Sequence, residues 1–274
     1  MEKQNKTIIQ YVVYTFVLFV LLMLILGGIA TTLLSGTPLV MRCLTAVVAW
    51  TPTYVFLLMF KKLYPTLTVK DYYKEVFRRK LNLSLLTTTT VIQVFIFIAC
   101  VLVISIQRKQ PIVSFLDFSL PTVVLALLFI PIQGPAGEET GWRGYLLPAI
   151  EKKHGIVKST LIVSVIWAFW HAPIWFLGTG YHGRELIQYI IVFVISITSV
   201  GCIIGICYFH CKNLFVPIWI HFIFNLLGQF FTGSMPDLVT LYAIFYFPTA
   251  LCYFLWHVST EKNRQSKTVY QLKI

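Results

Sequence analysis

Two adjacent carboxylates, Glu138 and Glu139, stand inside a long apolar stretch of the sequence. The other eight of the ten acidic residues fall in predicted loops or at predicted helix ends. An ionisable side chain in hydrocarbon is costly, and its default interpretation is a functional site. Glu139 and Arg143 are four residues apart on one helix face, which favours an ion pair. Glu138 has no such local partner, so we predict that it does the acid–base work while Glu139 and Arg143 orient the site.

Two of the six histidines also lie inside predicted membrane spans. Trp167 precedes His171 by one helical turn, and Asn225 follows His221 by one turn, so each pair shares a helix face. A single intramembrane histidine more often bonds a neighbouring helix than catalyses a reaction. Two of them beside the buried diacid favour a reaction centre instead. The rings of Trp142 and Trp167 are predicted to line its substrate pocket.

A buried set of Glu, two His and Asn suits the hydrolysis of a peptide bond without a covalent intermediate. The Glu takes a proton from water, and a His assists it or protonates the leaving amine. A His–Asn pair can donate hydrogen bonds to the developing oxyanion. The sequence contains no His-Glu-x-x-His zinc motif and no Gly-x-Ser-Gly motif, and its three aspartates fall in predicted loops or at predicted helix ends. A cluster that only bonds helices together is the structural alternative.

Transmembrane helices must position these residues. Hydrophobic residues make up 58% of the 274 positions and charged residues 12%, about half the charged share of a soluble domain; the mean hydropathy is +0.80. A spanning helix needs about 20 mostly apolar residues. The sequence predicts an all-α polytopic bundle, one integral membrane domain over residues 1–274, with eight spans at 8–34, 39–60, 84–106, 118–148, 156–177, 185–209, 214–232 and 237–258.

Lysine and arginine lie mostly on one side of the predicted bundle. With the N-terminus inside, seventeen fall in cytoplasmic segments, three in outer loops and two in or beside spans. Cytoplasmic loops carry such an excess, so we predict a multi-pass protein of the cell membrane with both termini cytoplasmic. The net charge of +12 then reflects orientation and attraction to anionic headgroups of the lipid bilayer. Because the basic residues are divided among loops, a nucleic acid is not expected as a partner.

Three motifs resemble, in order and spacing, those of the CPBP family, also called Abi: Glu138-Glu139-x-x-x-Arg143, a motif ending in His171, and His221-x-x-x-Asn225. That family includes the CAAX prenyl endopeptidases of the Rce1 type and bacterial proteins linked to bacteriocin maturation and self-immunity. The resemblance covers a predicted catalytic core, residues 118–232. It implies an eight-helix bundle with a cavity open to the cytosol.

The resemblance also implies a role for each residue. Glu138 and His171 would activate the water, and His221 and Asn225 would form the oxyanion hole. The chain departs from the family at Trp167, where a Phe is usual, so the pocket shape and the specificity are expected to differ. The family has been interpreted both as metal-dependent and as glutamate-type. We expect a glutamate-type protease without a cofactor or metal, because a third strong imidazole ligand is missing; a divalent metal such as zinc is the alternative.

The substrate cannot be derived from the residues themselves. By analogy with the bacterial branch of the family, we expect a bacterial plasma membrane and a peptide or protein substrate. A peptide precursor or membrane-associated peptide, such as a bacteriocin or pheromone, is favoured over a prenylated CAAX tail. A non-catalytic membrane protein of bacteriocin self-immunity is the leading alternative, and a proton-coupled transporter is a further one. The sequence does not determine an oligomeric state.

Overall fold

The computed structural model describes the backbone of residues 2–34 and 36–271, and the side chains of residues 4–34 and 36–262. These residues form twelve α-helices and no strand. In chain order they are α1 (Glu2–Thr32), α2 (Pro38–Val48), α3 (Thr51–Leu63), α4 (Val69–Val76), α5 (Leu83–Arg108), α6 (Leu120–Phe129), α7 (Pro135–Glu139), α8 (Leu147–Trp170), α9 (Ala172–Leu177), α10 (Gly183–Cys211), α11 (Phe215–Gln229) and α12 (Met235–Gln271).

Six segments of the described chain are long and apolar enough to cross a membrane: Gln4–Thr32, Pro38–Leu63, Leu83–Arg108, Pro135–Leu177, Gly183–Cys211 and Met235–Lys262. The predicted all-α polytopic membrane bundle is thereby confirmed. Two further apolar helices, Leu120–Phe129 and Phe215–Gln229, have 10 and 15 residues. Each is shorter than the roughly 20 residues of a spanning helix. The predicted number of eight spans is therefore not confirmed.

The segment Pro135–Leu177 contains 43 residues, too many for one straight crossing. At 1.5 Å per residue it would be about 65 Å long, roughly twice the hydrocarbon thickness. The backbone of Gly155 divides it, with φ 69° and ψ 167° inside α8. This conformation is essentially restricted to glycine. The sequence thus builds a sharp turn where the spans 118–148 and 156–177 were predicted to be separated.

The predicted span 118–148 is not one continuous helix. After α6 the chain makes turns over residues 130–134, and α7 is followed by a seven-residue π-helix, Thr140–Leu146. Pro131 and Pro135 lack the backbone N–H that a continuous helix needs. Short π-helical turns occur frequently at functional sites. The irregular backbone brings both glutamates and Arg143 into the interior.

Helix α10 packs against α8, α11 and α12 in the middle of the bundle. Two glycines of α10 let α8 approach it closely. A Cβ atom added to Gly201 would lie 2.6 Å from Ser164 Oγ, and one added to Gly205 would lie 2.6 Å from Thr160 Cγ2. Small residues at helix interfaces allow such close packing in membranes. The second half of α8, which carries Trp167, is held against α10 in this way.

Candidate active site

A cavity of about 320 Å³ lies among α1, α2, α7, α8, α10 and α11. Its wall contains all four residues predicted to be catalytic, namely Glu138, His171, His221 and Asn225, together with Trp167. Most of the remaining wall is apolar, including Phe19 and Met23 of α1 and Leu44 of α2. Four polar groups from three separate motifs therefore meet in one largely apolar chamber.

The ion pair predicted within the first motif forms, and it includes a third residue. Arg143 Nη1 donates to Glu139 Oε1 at 2.9 Å, and both side chains are buried. His221 Nδ1 lies 2.8 Å from the same oxygen, although the sequence indicated no partner for it in this motif. Arg143 Nη2 also approaches the carbonyl oxygen of Gly201 at 3.4 Å. Glu139 thus holds the guanidinium of Arg143 in its own motif and the imidazole of His221 in the third motif.

Trp167 contacts Glu138, Arg143 and both imidazoles of the centre. Its indole Nε1 donates to Glu138 Oε2 at 2.5 Å. Its ring lies 4.5 Å from the guanidinium carbon of Arg143 and 5.0 Å, edge to face, from the ring of His221. Trp167 was predicted only as a pocket wall, and Glu138 as a group without a local partner. The structure supplies Glu138 with a partner from another helix, which spacing along one helix cannot reveal.

His171 stands at the end of α8. The helix ends at Trp170 and α9 begins at Ala172, followed by Pro173. His171 Nδ1 lies 2.8 Å from the carbonyl oxygen of Trp167. A carbonyl oxygen only accepts hydrogen bonds, so Nδ1 carries the proton. In the neutral ring, Nε2 is then left as an acceptor.

Gly134 marks the place where the motifs meet. A Cβ atom added to it would lie 3.1 Å from Glu138 Oε1, 3.2 Å from Asn225 Nδ2 and 3.4 Å from His221 Nε2. One acceptor, one amide donor and one imidazole nitrogen therefore border a single small space, which remains open because residue 134 has no side chain. Its φ of −173° is extended backbone that any residue adopts, so the reason for glycine here is steric.

The other glycines of this segment admit neighbouring helices. A Cβ atom on Gly137 would lie 2.5 Å from the ring of Trp50, and one on Gly141 would lie 2.2 Å from Tyr11 Oη. Thr53 Oγ1 donates to the carbonyl of Gly137 at 2.6 Å. Trp50 and Thr53 were not identified from the sequence as support for the site. Polar atoms in an otherwise apolar span were the available signal, but they do not reveal which helix they contact.

Trp142 was predicted to line the substrate pocket, and the structure places it elsewhere. Its side chain has no exposed surface, and it is not part of the cavity wall. It packs edge to face against Tyr11 at 6.3 Å and Trp170 at 5.9 Å. Because Trp142 lies in the π-helix, its ring points behind the wall towards α1.

Within residues 4–34 and 36–262, no three His, Cys, Asp or Glu side chains come together as a candidate metal site. Nδ1 of His171 faces the Trp167 carbonyl and Nδ1 of His221 faces Glu139, so each ring leaves only Nε2 for another ligand. The expected absence of a metal stays a prediction.

Comparison with known proteins bears on the same region. Residues 120–227 match the family model described as Type II CAAX prenyl endopeptidase Rce1-like. All three motifs of the cavity lie inside this range. This range of the chain is similar to the Rce1-like family. The resemblance to Rce1-type proteins is thereby confirmed, and the matched range lies within residues 118–232.

A curated relative supports the same conclusion. The chain is 28% identical over 164 residues to CAAX prenyl protease 2 of Methanococcus maripaludis, an alignment that covers 56% of this chain and 60% of the relative. The chain thus spans about 60% of the length of the relative that it matches. The six long apolar helices in the described part of the chain and the similarity of residues 120–227 to this membrane protease family indicate a multi-pass membrane protein.

Proposed function

We propose that this chain is an intramembrane endopeptidase that hydrolyses a peptide bond with water activated by Glu138. One observation carries the proposal: Glu138 Oε1, Asn225 Nδ2 and His221 Nε2 border the space beside Gly134. A general base and two potential oxyanion donors thus face one point inside an apolar chamber. The match to the Rce1-like family model supports the same reaction class.

The two adjacent glutamates have different surroundings, and we assign them different roles. Glu139 is bound by Arg143 and His221, so it serves as a fixed anion that orients both. Glu138 is held at one oxygen by Trp167, while its other oxygen faces the open space. A base within hydrogen-bond reach of a bound water can take its proton. Glu138 is the carboxylate in that position.

The proposed reaction has two steps, addition of water to the substrate carbonyl and cleavage of the C–N bond. Glu138 removes a proton from water as the water oxygen bonds to the carbonyl carbon of the substrate, and His171 Nε2 orients this water by accepting its other hydrogen. Asn225 Nδ2 donates to the resulting oxyanion, as does His221 Nε2 when this nitrogen carries a hydrogen while Nδ1 donates to Glu139. Glu138 then returns the proton to the amide nitrogen, the C–N bond breaks, and a carboxylic acid and an amine leave; the acid then transfers its proton to the free amine.

The proposed mechanism uses no metal or cofactor, because no three His, Cys, Asp or Glu side chains come together among the described residues. Burial strengthens each of these polar interactions relative to water. We further propose that both termini are cytoplasmic and that the chain resides in a bacterial plasma membrane. The excess of Lys and Arg on that side supports this orientation. The proposed function involves no nucleic acid.

For the substrate we propose a peptide precursor or a membrane-associated peptide, such as a bacteriocin or pheromone. The apolar walls formed by Phe19, Met23, Leu44 and their neighbours suit a substrate with apolar side chains near the cut. A prenylated CAAX tail is the second candidate, because the archaeal relative is named a CAAX prenyl protease.

The test compares wild type with Glu138→Ala, His171→Ala and His221→Ala at matched membrane levels, with the membrane and secreted peptides identified by mass spectrometry. We expect peptides that are present with wild type and absent with all three variants, and their ends identify the substrate. An unchanged set of peptides, together with equal protection of cells against a bacteriocin by wild type and variants, would overturn the protease proposal in favour of a non-catalytic immunity protein.

A further inference from the structure

A second cavity, of about 500 Å³, lies between the first turns of α1 and both halves of α8. Its walls are apolar and its rim is polar. The walls are formed by Ile8, Ile9, Val12, Val13, Ile162 and Ile166, and the rim includes Gln4, Asn5, Lys152, Lys153 and His154. None of the residues predicted to be catalytic lines this groove, so it is separate from the candidate active site.

The turn at Gly155 creates the groove. Lys152 and Lys153 precede this turn, and the isoleucines at 162 and 166 follow it. Both halves of the hairpin therefore face α1, with basic residues at the turn and apolar residues deeper in the bundle. Between Gln4 and Val13, α1 extends about 14 Å along the groove. The sequence thus produces an elongated apolar slot with a cationic end.

The groove is continuous with the surface that faces the bilayer. Ile9 is 62% exposed and Val13 48% exposed, and α1 is the candidate span with the smallest buried share. In a membrane these positions meet lipid chains. An acyl chain of a lipid is therefore the apolar ligand that can enter this groove without leaving the hydrocarbon of the membrane.

The charge at the rim selects the headgroup. Lys152 and Lys153 are exposed, and no carboxylate lines the groove among the described side chains. The neighbouring acid, Glu151, lies 3.4 Å from Lys212 of α10. Lys62 stands on the other flank of α1, in an adjoining cavity that shares Gln4, Ala149 and Lys152 with the groove. Among the described side chains, positive charge thus surrounds the end of the groove and no carboxylate lines it.

We propose that this groove binds an anionic glycerophospholipid, with an acyl chain between α1 and α8 and the phosphate at Lys152 and Lys153. Basic pockets between transmembrane helices bind anionic headgroups in this manner. A bound lipid would fill the gap between the two helices. Further along α1, Phe19 packs on Trp170 at 4.2 Å and contributes to the wall of the active-site cavity, so the lipid would also support that wall.

The test measures lipid retention by the full chain in native mass spectrometry. Phosphatidylglycerol and phosphatidylcholine with the same acyl chains are offered to wild type, to Lys152→Gln/Lys153→Gln, and to the matched control Lys70→Gln/Lys74→Gln on α4, which has the same change of charge. We expect wild type and the control to retain more phosphatidylglycerol than phosphatidylcholine. We expect Lys152→Gln/Lys153→Gln to bind phosphatidylglycerol about tenfold more weakly than wild type. Equal retention by both double variants, or no preference of wild type for the anionic lipid, would overturn the proposal.

A second variant tests the apolar half of the site. Ile9→Trp places a large ring in the slot from an exposed position and leaves the lysines intact, so we expect it also to reduce retention of phosphatidylglycerol. Glycerophosphoglycerol, the headgroup without its chains, should not displace the lipid at equal concentration. Displacement by this headgroup or by an acidic peptide, with Ile9→Trp behaving as wild type, would show a simple anion site and contradict the lipid assignment. None of these substitutions touches a residue of the proposed reaction, so the two proposals fail independently.

Discussion

The indole nitrogen of Trp167 donates a hydrogen bond to Oε2 of Glu138, although 29 residues separate them in the chain. The bond leaves Oε1 of Glu138 as the oxygen that borders the space beside Gly134. One tryptophan thus determines which carboxylate oxygen is available for the acid–base step.

Glu138→Gln is expected to remove proteolysis and preserve the fold. The amide keeps the shape and can still accept from Trp167, but it cannot take a proton from water. We expect a loss of about 10²–10⁴-fold in kcat with an unchanged melting temperature, measured on the cleavage site that the peptide comparison identifies. Retained activity in Glu138→Gln would contradict its assignment as the base.

Trp167→Phe removes the indole N–H and keeps an aromatic ring against Arg143 and His221. A hydrogen bond to a charged group contributes about 1.5–3 kcal/mol, so we expect kcat/KM to fall roughly 10- to 100-fold. Phe169→Tyr, on the exposed side of α8, is the control and should behave as wild type. Full activity in Trp167→Phe would mean that Glu138 is oriented by other contacts.

Arg143→Met is expected to destabilise the protein as well as inactivate it. It leaves Glu139 buried and charged without its guanidinium partner, a change that costs about 3–5 kcal/mol. Thermal unfolding in detergent measures the loss of stability. The double variant Arg143→Met/Glu139→Gln should regain much of the stability but not the activity, because His221 still lacks its carboxylate. A stable and active Arg143→Met protein would exclude the orienting role.

Gly134→Ala and Gly141→Ala separate the two uses of glycine in this segment. A methyl group on Gly134 crowds three polar atoms at 3.1–3.4 Å, so we expect roughly tenfold or greater loss of kcat with little change in melting temperature. One on Gly141 meets Tyr11 and Pro52 at 2.2–2.8 Å and should cost roughly 1–3 kcal/mol of stability. Equal loss of stability in the two variants would argue against an open space beside Gly134.

Removal of divalent metals is expected to leave the activity unchanged. The proposed mechanism assigns each proton and oxyanion contact to Glu138, His171, His221 and Asn225. Purified protein is dialysed against a strong chelator, its metal content is determined by elemental analysis, and cleavage is measured before and after. Activity that is lost on chelation and returns with zinc would replace the glutamate-type mechanism with a metal-dependent one.

Several features were predictable because they depend only on composition and local spacing. Long apolar runs predict a membrane bundle since hydrocarbon excludes polar side chains. The pairing of Glu139 with Arg143 follows from the i, i+4 geometry of one helical turn. The order of the three motifs led to the Rce1-like resemblance without any tertiary information.

The contacts between helices were decided only by the tertiary structure. The bond from Trp167 to Glu138, the sharing of Glu139 by Arg143 and His221, and the burial of Trp142 behind the cavity all depend on the rotation of each helix about its own axis. Helix packing sets that rotation through many weak contacts distributed along the chain. Irregular backbone, such as the π-helix at Thr140–Leu146, also shifts side-chain directions away from regular periodicity. The sequence by itself therefore determined which groups could react, and the packing of helices decided which atoms of those groups face one another.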